Sequence, residues 1–556
     1  MLGKIKSLNA IHIISLLLLL FFTASFFVRI DRSFDQDLGR HLKFGEIIVN
    51  TRQIPKTNLF SYTYPDFPFI NHHYLFEVLI YLGQQTLGVQ ALLILKILIV
   101  LLSVSLILAI ITKSSTPLIL PISFIFLHVL RERTELRPEI LSFLFTALTY
   151  FILDKYEKNR SKFIYVLPII QFFWINTHIY FPIGFLLQCI FLIHLFLKKN
   201  LSQTKILFFI FLASILTSLI NPNGLKALFY PLQVFGNYGY SIAENQSMFL
   251  LESINFTDPN FLFVKICTAI IVISIVTGFY RRILTAKNLL ISLAGLSLAL
   301  FHVRSFPYLV FLALPATIEN FGPLKPSKWI LGILVICSFF LVIESFLYLN
   351  NTYYQYNNLD TKATLVAEEH SKKALDFVLK NNLPEPIFNN FDIGSYIIYR
   401  GFPEIKVFVD GRPEAYPAEF FQQLYIPMQE DPKKFAEVDN LIKFKTIIFS
   451  HTDQTPWGKT FLKSITSNAE WKIVYLDDFM IVLVKEEIVK QKNLKVVNLA
   501  QLKPEEYQFN NYLSILRMGI FLMNTDNKSS GQLFIEKSFQ LFPQNPIINK
   551  QNPYWW

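Results

Sequence analysis

Long apolar runs separated by short polar segments fill most of the chain, whereas residues 351–556 read as ordinary soluble sequence. The apolar runs are residues 10–30, 89–112, 117–130, 138–153, 163–197, 203–220, 261–280, 286–301, 304–318 and 329–349. The 163–197 run is too long for one span and is interrupted at Asn176-Thr177-His178, so it counts as two. Several runs are shorter than the ~20 residues of a lone spanning helix, which is typical of short, tilted or re-entrant helices. The pattern predicts a polytopic α-helical membrane protein with about eleven transmembrane helices over residues 1–350.

The first apolar run has two interpretations. Lys4 and Lys6 precede it, as in a signal peptide. However, the run is long for a signal peptide and ends at Arg29, Asp31 and Arg32 without a small-residue cleavage site. An uncleaved first helix is therefore the better interpretation.

The basic residues predict the orientation of the chain. With a cytoplasmic N-terminus, every predicted inner loop is short and carries Lys or Arg, as the positive-inside rule requires. These residues are Lys4, Lys6, Lys113, Lys155, Lys158, Arg160, Lys162, Lys198, Lys199, Lys205, Arg281, Arg282, Lys287, Lys325 and Lys328. An odd number of spans then places the C-terminal domain on the outer side.

The soluble part divides into an α/β domain over residues 351–490 and a short helical tail over residues 491–556. Residues 371–380 have the pattern of an amphipathic helix. Predicted strands cover residues 386–389, 395–400, 406–409 and 446–450, with a hairpin formed by residues 471–475 and 480–484. In the tail, residues 531–546 are similar to the second helix of a tetratricopeptide repeat. A single repeat cannot bury its own apolar face.

Composition agrees with lipid as the main solvent. Hydrophobic residues make up 53% of the chain, charged residues 16%, and the mean hydropathy is +0.40; soluble proteins carry about 25% charged residues. The net charge of +11 mostly reflects the Lys and Arg residues that set the orientation of the chain in the membrane. The absence of a basic recognition module excludes a nucleic-acid partner. Cys189, Cys267 and Cys337 lie in apolar runs, so no disulfide framework or metal-ligand spacing is predicted.

Candidate chemistry is concentrated in the predicted outer loops. Ionisable groups at membrane depth are costly and generally face a cavity, whereas the inner loops contain almost no His and few carboxylates. The alternative is that loops are simply polar. The candidate residues are Asp35, Asp37, His41, His72, His73, Glu77, Arg131, Arg133, Arg137, Asn176, His178 and Arg304. Their grouping on one side predicts a polar, substrate-binding cavity that opens outward.

Within this set, residue chemistry suggests roles. Asp37 could act as general base on an acceptor hydroxyl or amine. The arginines could hold a phosphate or pyrophosphate through fork-shaped contacts, although any one of them could instead extend to the lipid headgroups. For Asp35, a helix N-cap or a solvated loop acid is an equal alternative to catalysis.

A divalent cation is an open alternative, since Asp35, Asp37, His72, His73 and His178 could converge. On a helix, adjacent His72 and His73 would point in different directions and would not both bind one ion. No ligand spacing requires a metal, so no cofactor is assigned.

Several stretches, in order, resemble the bacterial membrane glycosyltransferases of the GT-C superfamily. In the first outer loop they are residues 35–45 (DQDLGRHLKFG), 54–63 (IPKTNLFSYT) and 71–77 (NHHYLFE). Further matches are residues 136–139 (LRPE), 174–178 (WINTH), 221–224 (NPNG) and 408–414 (FVDGRPE). The relatives are protein O-mannosyltransferases, lipid A aminoarabinose transferases and a large uncharacterised bacterial branch. The order of the motifs, which spans residues 1–420, carries the resemblance.

The resemblance implies a glycosyltransferase in the cytoplasmic membrane of a bacterium. Its donor would be a sugar on a polyprenyl phosphate, transferred with inversion on the outer face to an unknown envelope acceptor. The family's catalytic acid lies just after the first span, where Asp37 stands. Many relatives have two adjacent acids there; Leu38 follows Asp37, so the second is absent or replaced by Asp35.

Two other classes of function remain. A non-catalytic relative could scaffold envelope-polysaccharide assembly through its soluble domain. A transporter or flippase would require charged residues at mid-membrane and a pseudo-repeat between halves, and the sequence has neither.

The predicted orientation can be tested with single cysteines in a variant lacking Cys189, Cys267 and Cys337. We expect a membrane-impermeant maleimide to label Asn382→Cys in intact cells, and Ser161→Cys only after permeabilisation, because residue 161 lies in a basic inner loop. Labelling of Ser161→Cys in intact cells, with Asn382→Cys protected, would reverse the orientation.

Overall fold

The computed structural model describes residues 2–111, 117–233, 238–254, 256, 258–324, 327–509 and 511–542, with side chains from residue 13 onward. The end of the predicted repeat-like stretch 531–546 lies outside the described residues.

Helices form at each of the apolar runs. They are Leu2–Phe27, Val89–Ile111, Ile119–Leu127, Glu139–Asn159, Leu167–Ile175, Pro182–Leu197, Leu201–Ser218, Pro259–Tyr280, Ala286–Phe301, Leu314–Phe321 and Lys328–Leu349. The break predicted within 163–197 is confirmed, because one helix ends at Ile175 and the next begins at Pro182, a residue suited to a first helical turn. Among the described helices, four are long and apolar enough to cross a membrane: Val89–Ile111, Leu201–Ser218, Pro259–Tyr280 and Lys328–Leu349. The number of spans stays a prediction.

The helices pack into a bundle around a buried apolar core that includes Phe22, Ile107, Phe143 and Phe311. Apolar side chains also cover the outside of the bundle. Lys328–Leu349 exposes Leu331, Val335, Phe339 and Phe340. A helix that is apolar on its outer face is typical of contact with lipid.

The first outer loop is itself helical. A π-helical turn, Phe34–Leu38, runs directly into helix Gly39–Thr51, which packs on helix Tyr74–Leu87. The two helices approach closely at Gly45, where an added Cβ would lie 2.2 Å from the Glu77 carbonyl oxygen. A glycine is therefore required at position 45, and the contact brings His41 opposite Glu77.

Short helical turns build the other outer connections. They are His128–Glu132, Leu225–Gln233, Ala243–Asn245, Met248–Ser253 and Val303–Ser305. Additional turns, Lys162–Val166 and Leu309–Ala313, lead into longer helices, and Thr352–Tyr356 follows the last bundle helix.

The soluble domain contains a four-stranded sheet in the order β1-β2-β4-β3. Strands β1 (Ile387–Asn389) and β2 (Thr446–Ser450) are parallel. Strands β3 (Trp471–Leu476) and β4 (Met480–Lys485) form the predicted hairpin, and β4 also pairs antiparallel with β2. The accompanying helices are Lys372–Lys380, Gly394–Gly401, Phe420–Tyr425, Pro427–Glu430, Pro432–Ile442, Pro456–Thr466, Glu486–Lys492, Tyr512–Asn524 and Lys528–Leu541.

Two predicted strands are wrong. Residues 395–400 form helix Gly394–Gly401, since a short, fully buried apolar run has no period that separates helix from strand. Residues 406–409 stay outside the sheet. The Val407 N–H instead donates to the Phe60 carbonyl (3.1 Å), and the Tyr62 N–H donates to the Val407 carbonyl (3.2 Å). This segment therefore attaches the soluble domain to the first outer loop.

A fully buried ion pair joins the end of the first helix to the bundle. The Lys96 Nζ lies 2.8 Å from Asp31 Oδ2, and both side chains are inaccessible to solvent. The Leu136 N–H also donates to Asp31 Oδ2 (2.6 Å), and the Ser33 N–H donates to Oδ1 (3.1 Å). Asp31 thus fixes the segment that leads to Asp37 against the 131–139 connection.

Replacing Lys96 with Met should destabilise the protein by about 3–5 kcal/mol, because removal of one partner leaves a buried charge uncompensated. Thermal unfolding in detergent would measure the loss, which the double variant Asp31→Asn/Lys96→Met should partly restore. The control is Lys434→Met, which removes an exposed pair with Glu437 worth less than about 1 kcal/mol. Equal effects of Lys96→Met and Lys434→Met would contradict the role of the buried pair.

Candidate functional site

A polar cavity of about 140 Å³ lies where the first outer loop, the other outer connections and the soluble domain meet. It brings together most of the residues singled out in the sequence. Those that line it are Asp37, His41, His72, His73, Glu77, Arg133, Arg137, His178 and Arg304. Residues separated by more than 250 positions therefore form one site.

Asp37 projects from the π-helical turn Phe34–Leu38 and is 24% exposed. The Arg40 Nη2 donates to its Oδ1 (3.0 Å), one helical turn away. The Arg137 Nε lies 3.4 Å from its Oδ2. Two guanidinium groups thus orient a carboxylate that still reaches the cavity.

Arginines and carboxylates alternate behind Asp37. Glu244 pairs with Arg133 (2.7 Å) and Arg137 (3.2 Å), and more loosely with Arg304 (3.7 Å). Burial alone would raise the pKa of Glu244, but these three cations hold that pKa below its usual range. Arg133 also pairs with Glu139 (2.8 Å), and Arg137 with Glu135 (2.9 Å). The positive charges of four arginines are therefore balanced by four carboxylates. The arginines are Arg40, Arg133, Arg137 and Arg304, and the carboxylates are Asp37, Glu135, Glu139 and Glu244.

His41 and Glu77 form a buried pair with His41 Nδ1 2.9 Å from Glu77 Oε1. The Asn71 side-chain amide donates to Glu77 Oε2 (2.6 Å). Burial raises the pKa of Glu77 to about 8, although the Asn71 bond opposes the shift. Burial, followed by the Arg40 charge, lowers the pKa of His41 well below its ordinary value. Both shifts favour the neutral forms of the pair, in which the Glu77 hydroxyl can donate to His41 Nδ1.

The other three histidines are neighbours. The ring centroids of His72 and His73 are 3.9 Å apart, and those of His73 and His178 are 5.5 Å apart. The expected divergence of His72 and His73 is wrong, because they precede helix Tyr74–Leu87 rather than lying within it. Burial lowers the pKa of His72 to about 4, and those of His73 and His178 well below the ordinary value. All three rings are neutral at pH 7 and can exchange hydrogen bonds with a polar ligand.

The arrangement does not fit a metal ion. Within the described parts of the chain, no three His, Cys, Asp or Glu side chains are placed to hold one ion together. Two of the carboxylates that line the cavity, Asp37 and Glu139, are paired with arginines, whose charges would oppose a divalent cation.

Three predicted site residues lie away from the cavity. Asp35 is buried and accepts the N–H groups of His370 and Ser371 (3.0 Å each). Burial raises its pKa to about 6. It therefore holds the soluble domain rather than a substrate, and cannot replace the missing second acid beside Asp37.

Arg131 and Asn176 are likewise structural. The Arg131 Nη1 donates to the hydroxyls of Tyr348 (2.7 Å) and Tyr353 (2.9 Å), which ties it to the last bundle helix. Asn176 accepts from the Tyr74 hydroxyl (2.8 Å) and donates to backbone carbonyls. Arg131 Nη1 and the Asn176 side-chain amide are thus engaged within the protein.

The soluble domain completes the cavity through the 410–414 segment. Arg412 makes two 2.7 Å bonds to Asp410 and donates to Asn58 Oδ1 (2.7 Å). Next to it, an added Cβ on Gly411 would lie 3.1 Å from the Gln36 carbonyl and 4.0 Å from Asp37 Oδ1. This close approach brings the domain's Pro413 and Glu414 into the cavity lining.

Sequence reasoning missed several lining residues: Arg40, Glu139, Tyr230, Tyr238, Asn245 and Glu414. Arg40 had a local signal, since it follows Asp37 by three positions on one helical face. Glu414 belongs to the 408–414 motif, whereas Tyr230 and Tyr238 had no signal, because only the fold brings them near Asp37.

An apolar pocket of about 470 Å³ adjoins the polar cavity. The two spaces share Ile179, Tyr238, Ile242, Asn245 and Arg304. Beyond this boundary the pocket is lined by residues such as Pro182, Ile183, Leu232 and Leu298. Arg304 thus lies between a polar compartment and an apolar one.

Comparison with solved structures identifies the fold. The archaeal oligosaccharyltransferase AglB from Archaeoglobus fulgidus, in complex with an inhibitory peptide and a dolichol-phosphate, matches with a TM-score of 0.53 and 10% identity. That alignment covers 99% of this chain and 87% of AglB. The Archaeoglobus fulgidus oligosaccharyltransferase tethered to an acceptor peptide matches with a TM-score of 0.51 and 12% identity, covering 81% of this chain and 70% of that one.

The chain therefore has the fold of these archaeal oligosaccharyltransferases, in agreement with the GT-C resemblance of its sequence motifs. Four of its described helices are long and apolar enough to cross a membrane. No family model matches, and no curated protein matches by sequence. Assignment to a particular bacterial branch stays a prediction.

The Glu77 pair predicts a pH dependence of stability. The carboxyl has a pKa of about 8 when folded and about 4.3 when unfolded, so the folded state binds more protons between these values. Stability from Glu77 is full below about pH 4.3 and is lost as pH rises toward 8, by up to about 1.4 kcal/mol per pH unit. The stability of Glu77→Gln relative to wild type, measured by thermal unfolding, should therefore increase as the pH rises from 5 to 8.5. Glu404→Gln, at an exposed position, should track wild type; a constant gap for Glu77→Gln would contradict the neutral pair.

Proposed function

We propose that this protein is a GT-C-type glycosyltransferase that moves a sugar from a polyprenyl-phosphate-linked donor to an envelope acceptor, on the outer face of a bacterial cytoplasmic membrane. One observation carries the proposal: the polar cavity containing Asp37 adjoins a large apolar pocket, and Arg304 lines both. A donor with a sugar, a phosphate and a long hydrocarbon chain requires these environments in this order. The likeness to AglB in complex with a dolichol-phosphate supports the same class of donor.

Arg304 is the arginine best suited to the donor phosphate. It is 28% exposed, and its ion pair with Glu244 is long, at 3.7 Å. Arg133 and Arg137 are more deeply buried and hold closer carboxylates. A guanidinium with free donors at the boundary of an apolar pocket can bind phosphoryl oxygens while the hydrocarbon chain leaves through the pocket.

Asp37 is the proposed general base. The acceptor's hydroxyl or amine attacks the anomeric carbon as the bond from that carbon to the phosphate oxygen breaks. The acceptor's proton passes to Asp37, and the leaving group departs as polyprenyl phosphate, stabilised by Arg304. Attack opposite the leaving group inverts the anomeric carbon. Arg40 and Arg137 keep the Asp37 carboxylate aimed into the cavity.

The neutral histidines provide polar contacts without adding charge. His41, His72, His73 and His178 line the cavity, and each has one ring nitrogen engaged by the protein. The second nitrogen of each ring can bind a hydroxyl of the sugar. No step is assigned to a metal ion, because guanidinium groups pair with Asp37 and Glu139 in the cavity lining.

Two alternatives predict a different outcome from the same assay. A non-catalytic scaffold in envelope-polysaccharide assembly would bind a donor without consuming it. A transporter or flippase would move the donor across the membrane without breaking the sugar–phosphate bond.

The test is donor turnover by the purified protein in lipid nanodiscs, with a panel of undecaprenyl-phosphate-linked sugars. Asp37→Asn should lower the rate by about 10²–10⁴-fold, since it removes the base. Arg304→Ala should raise the KM for the donor by about tenfold or more, since it removes a charged hydrogen bond. The matched control Asp66→Asn, at an exposed position of the same loop, should match wild type. Full activity of Asp37→Asn would refute the assigned base, and intact donor throughout would favour the two alternatives.

A further inference from the structure

The soluble domain contributes an ionisable group to the cavity that the proposed transfer step does not use. Glu414 is half-buried and lines the cavity. Its carboxyl interacts with its own backbone N–H, and no other described residue hydrogen-bonds or ion-pairs with it. Burial raises the pKa of this group, while Arg40, that N–H and Arg412 act to lower it. A half-buried carboxyl that lines a cavity and keeps acceptor positions free of other described residues can accept hydrogen bonds from a ligand.

Arg40, in the first outer loop, lines the same cavity as Glu414. Its side chain is 8% exposed, and its Nη2 is bonded to Asp37. Its Nε is buried, and no described group accepts a hydrogen bond from it. Arg40 and Glu414 interact electrostatically but do not form an ion pair. The cavity lining beside Asp37 therefore includes both a hydrogen-bond donor and an acceptor.

The chemistry of this lining selects a class of ligand. A hydroxyl can accept from Arg40 and donate to Glu414 at once. An ammonium group would be attracted by Glu414 but repelled by Arg40, whereas an anion would be attracted by Arg40 but repelled by Glu414. Phe44 and Tyr230 add aromatic surface to the same cavity. A saccharide presents hydroxyl groups around an apolar ring face, and the polar side chains and aromatic surface of this cavity suit these two features.

We propose that Glu414 and Arg40 bind a hydroxyl group of a saccharide acceptor beside Asp37. This inference rests on the proposed function and names its acceptor class. Glu414, Arg40 and Asp37 line the polar cavity but not the apolar pocket, where the donor's hydrocarbon chain would lie. The soluble domain thus binds the acceptor, whereas the helical bundle binds the donor.

The kinetic test uses the full chain in lipid nanodiscs with a donor that wild type consumes from the undecaprenyl-phosphate sugar panel. Methyl hexopyranosides and a peptide containing Ser, Thr and Asn serve as competing acceptor probes. We expect transfer to a methyl hexopyranoside, with Glu414→Gln raising its KM by about tenfold to hundredfold and the KM for the donor changing by less. Glu419→Gln, an identical substitution at an exposed position of the same domain, should leave both KM values as in wild type.

Three outcomes would overturn the proposal. Transfer to the peptide alone would exclude a saccharide acceptor. An equal or larger rise in the KM for the donor would place the donor sugar, not the acceptor, on Glu414. An unchanged KM for the hexopyranoside would remove Glu414 from the site.

A binding measurement separates this proposal from the proposed function. Saturation-transfer NMR would detect the same methyl hexopyranosides on wild type in the presence of undecaprenyl phosphate. If wild type binds the hexopyranoside, Glu414→Gln does not, and no donor is consumed, the result would support the acceptor subsite and refute the glycosyltransferase activity. Donor consumption without hexopyranoside binding would refute the subsite and leave the enzyme standing.

Discussion

Arg412 of the soluble domain, held by a buried ion pair with Asp410, joins that domain to the first outer loop. Arg412 makes a bidentate contact with Asp410, and its guanidinium lies 4.7–5.3 Å from the ring centroids of Phe44, Phe60 and Phe69 in the first outer loop. Burying two charges is costly, and only close pairing with further hydrogen bonds and aromatic contacts offsets that cost. The favourable arrangement requires the soluble domain to be seated on the loop. Gly411 then reaches Asp37, and Glu414 enters the cavity.

Charge balance is the second constraint on the site. Arg40, Arg133, Arg137 and Arg304 meet an equal number of carboxylates, so the site combines four fixed guanidinium groups with little net charge. The neighbouring histidines are neutral because burial disfavours their charged forms. An anionic phosphate can therefore find a loosely paired arginine without the protein storing a large unbalanced charge.

Much of the architecture was predictable because lipid and backbone chemistry leave few choices. An apolar run of sufficient length must form a helix if it lies in a membrane, and the helices lie where the runs predicted them. The hairpin of the soluble domain followed from two alternating segments joined at Asp477-Asp478. The same logic failed at residues 395–400, where a short buried segment gave no distinguishing period.

The site was predictable only in part. Asp37, His41 and Glu77 were identifiable because polar groups next to apolar runs require an explanation. Asp35 and Arg131 carried the same signal, yet both bind groups of the protein. Asp35 accepts the His370 and Ser371 amides, and Arg131 donates to the hydroxyls of Tyr348 and Tyr353. The sequence indicates that a buried polar group needs a hydrogen-bond or ionic partner. It does not indicate whether that partner belongs to the protein or to a ligand.

The sequence by itself determined the membrane-embedded bundle, the separate soluble part and the outer loops as the place for chemistry. Each follows from local hydrophobicity, periodicity or charge. Only the tertiary structure decided that Glu414 would line the same cavity as Arg40, that Arg304 would lie at the boundary of an apolar pocket, and that Asp35 would turn away. These are contacts between segments up to hundreds of residues apart. They arise from packing and charge pairing across the whole fold, which no local pattern encodes.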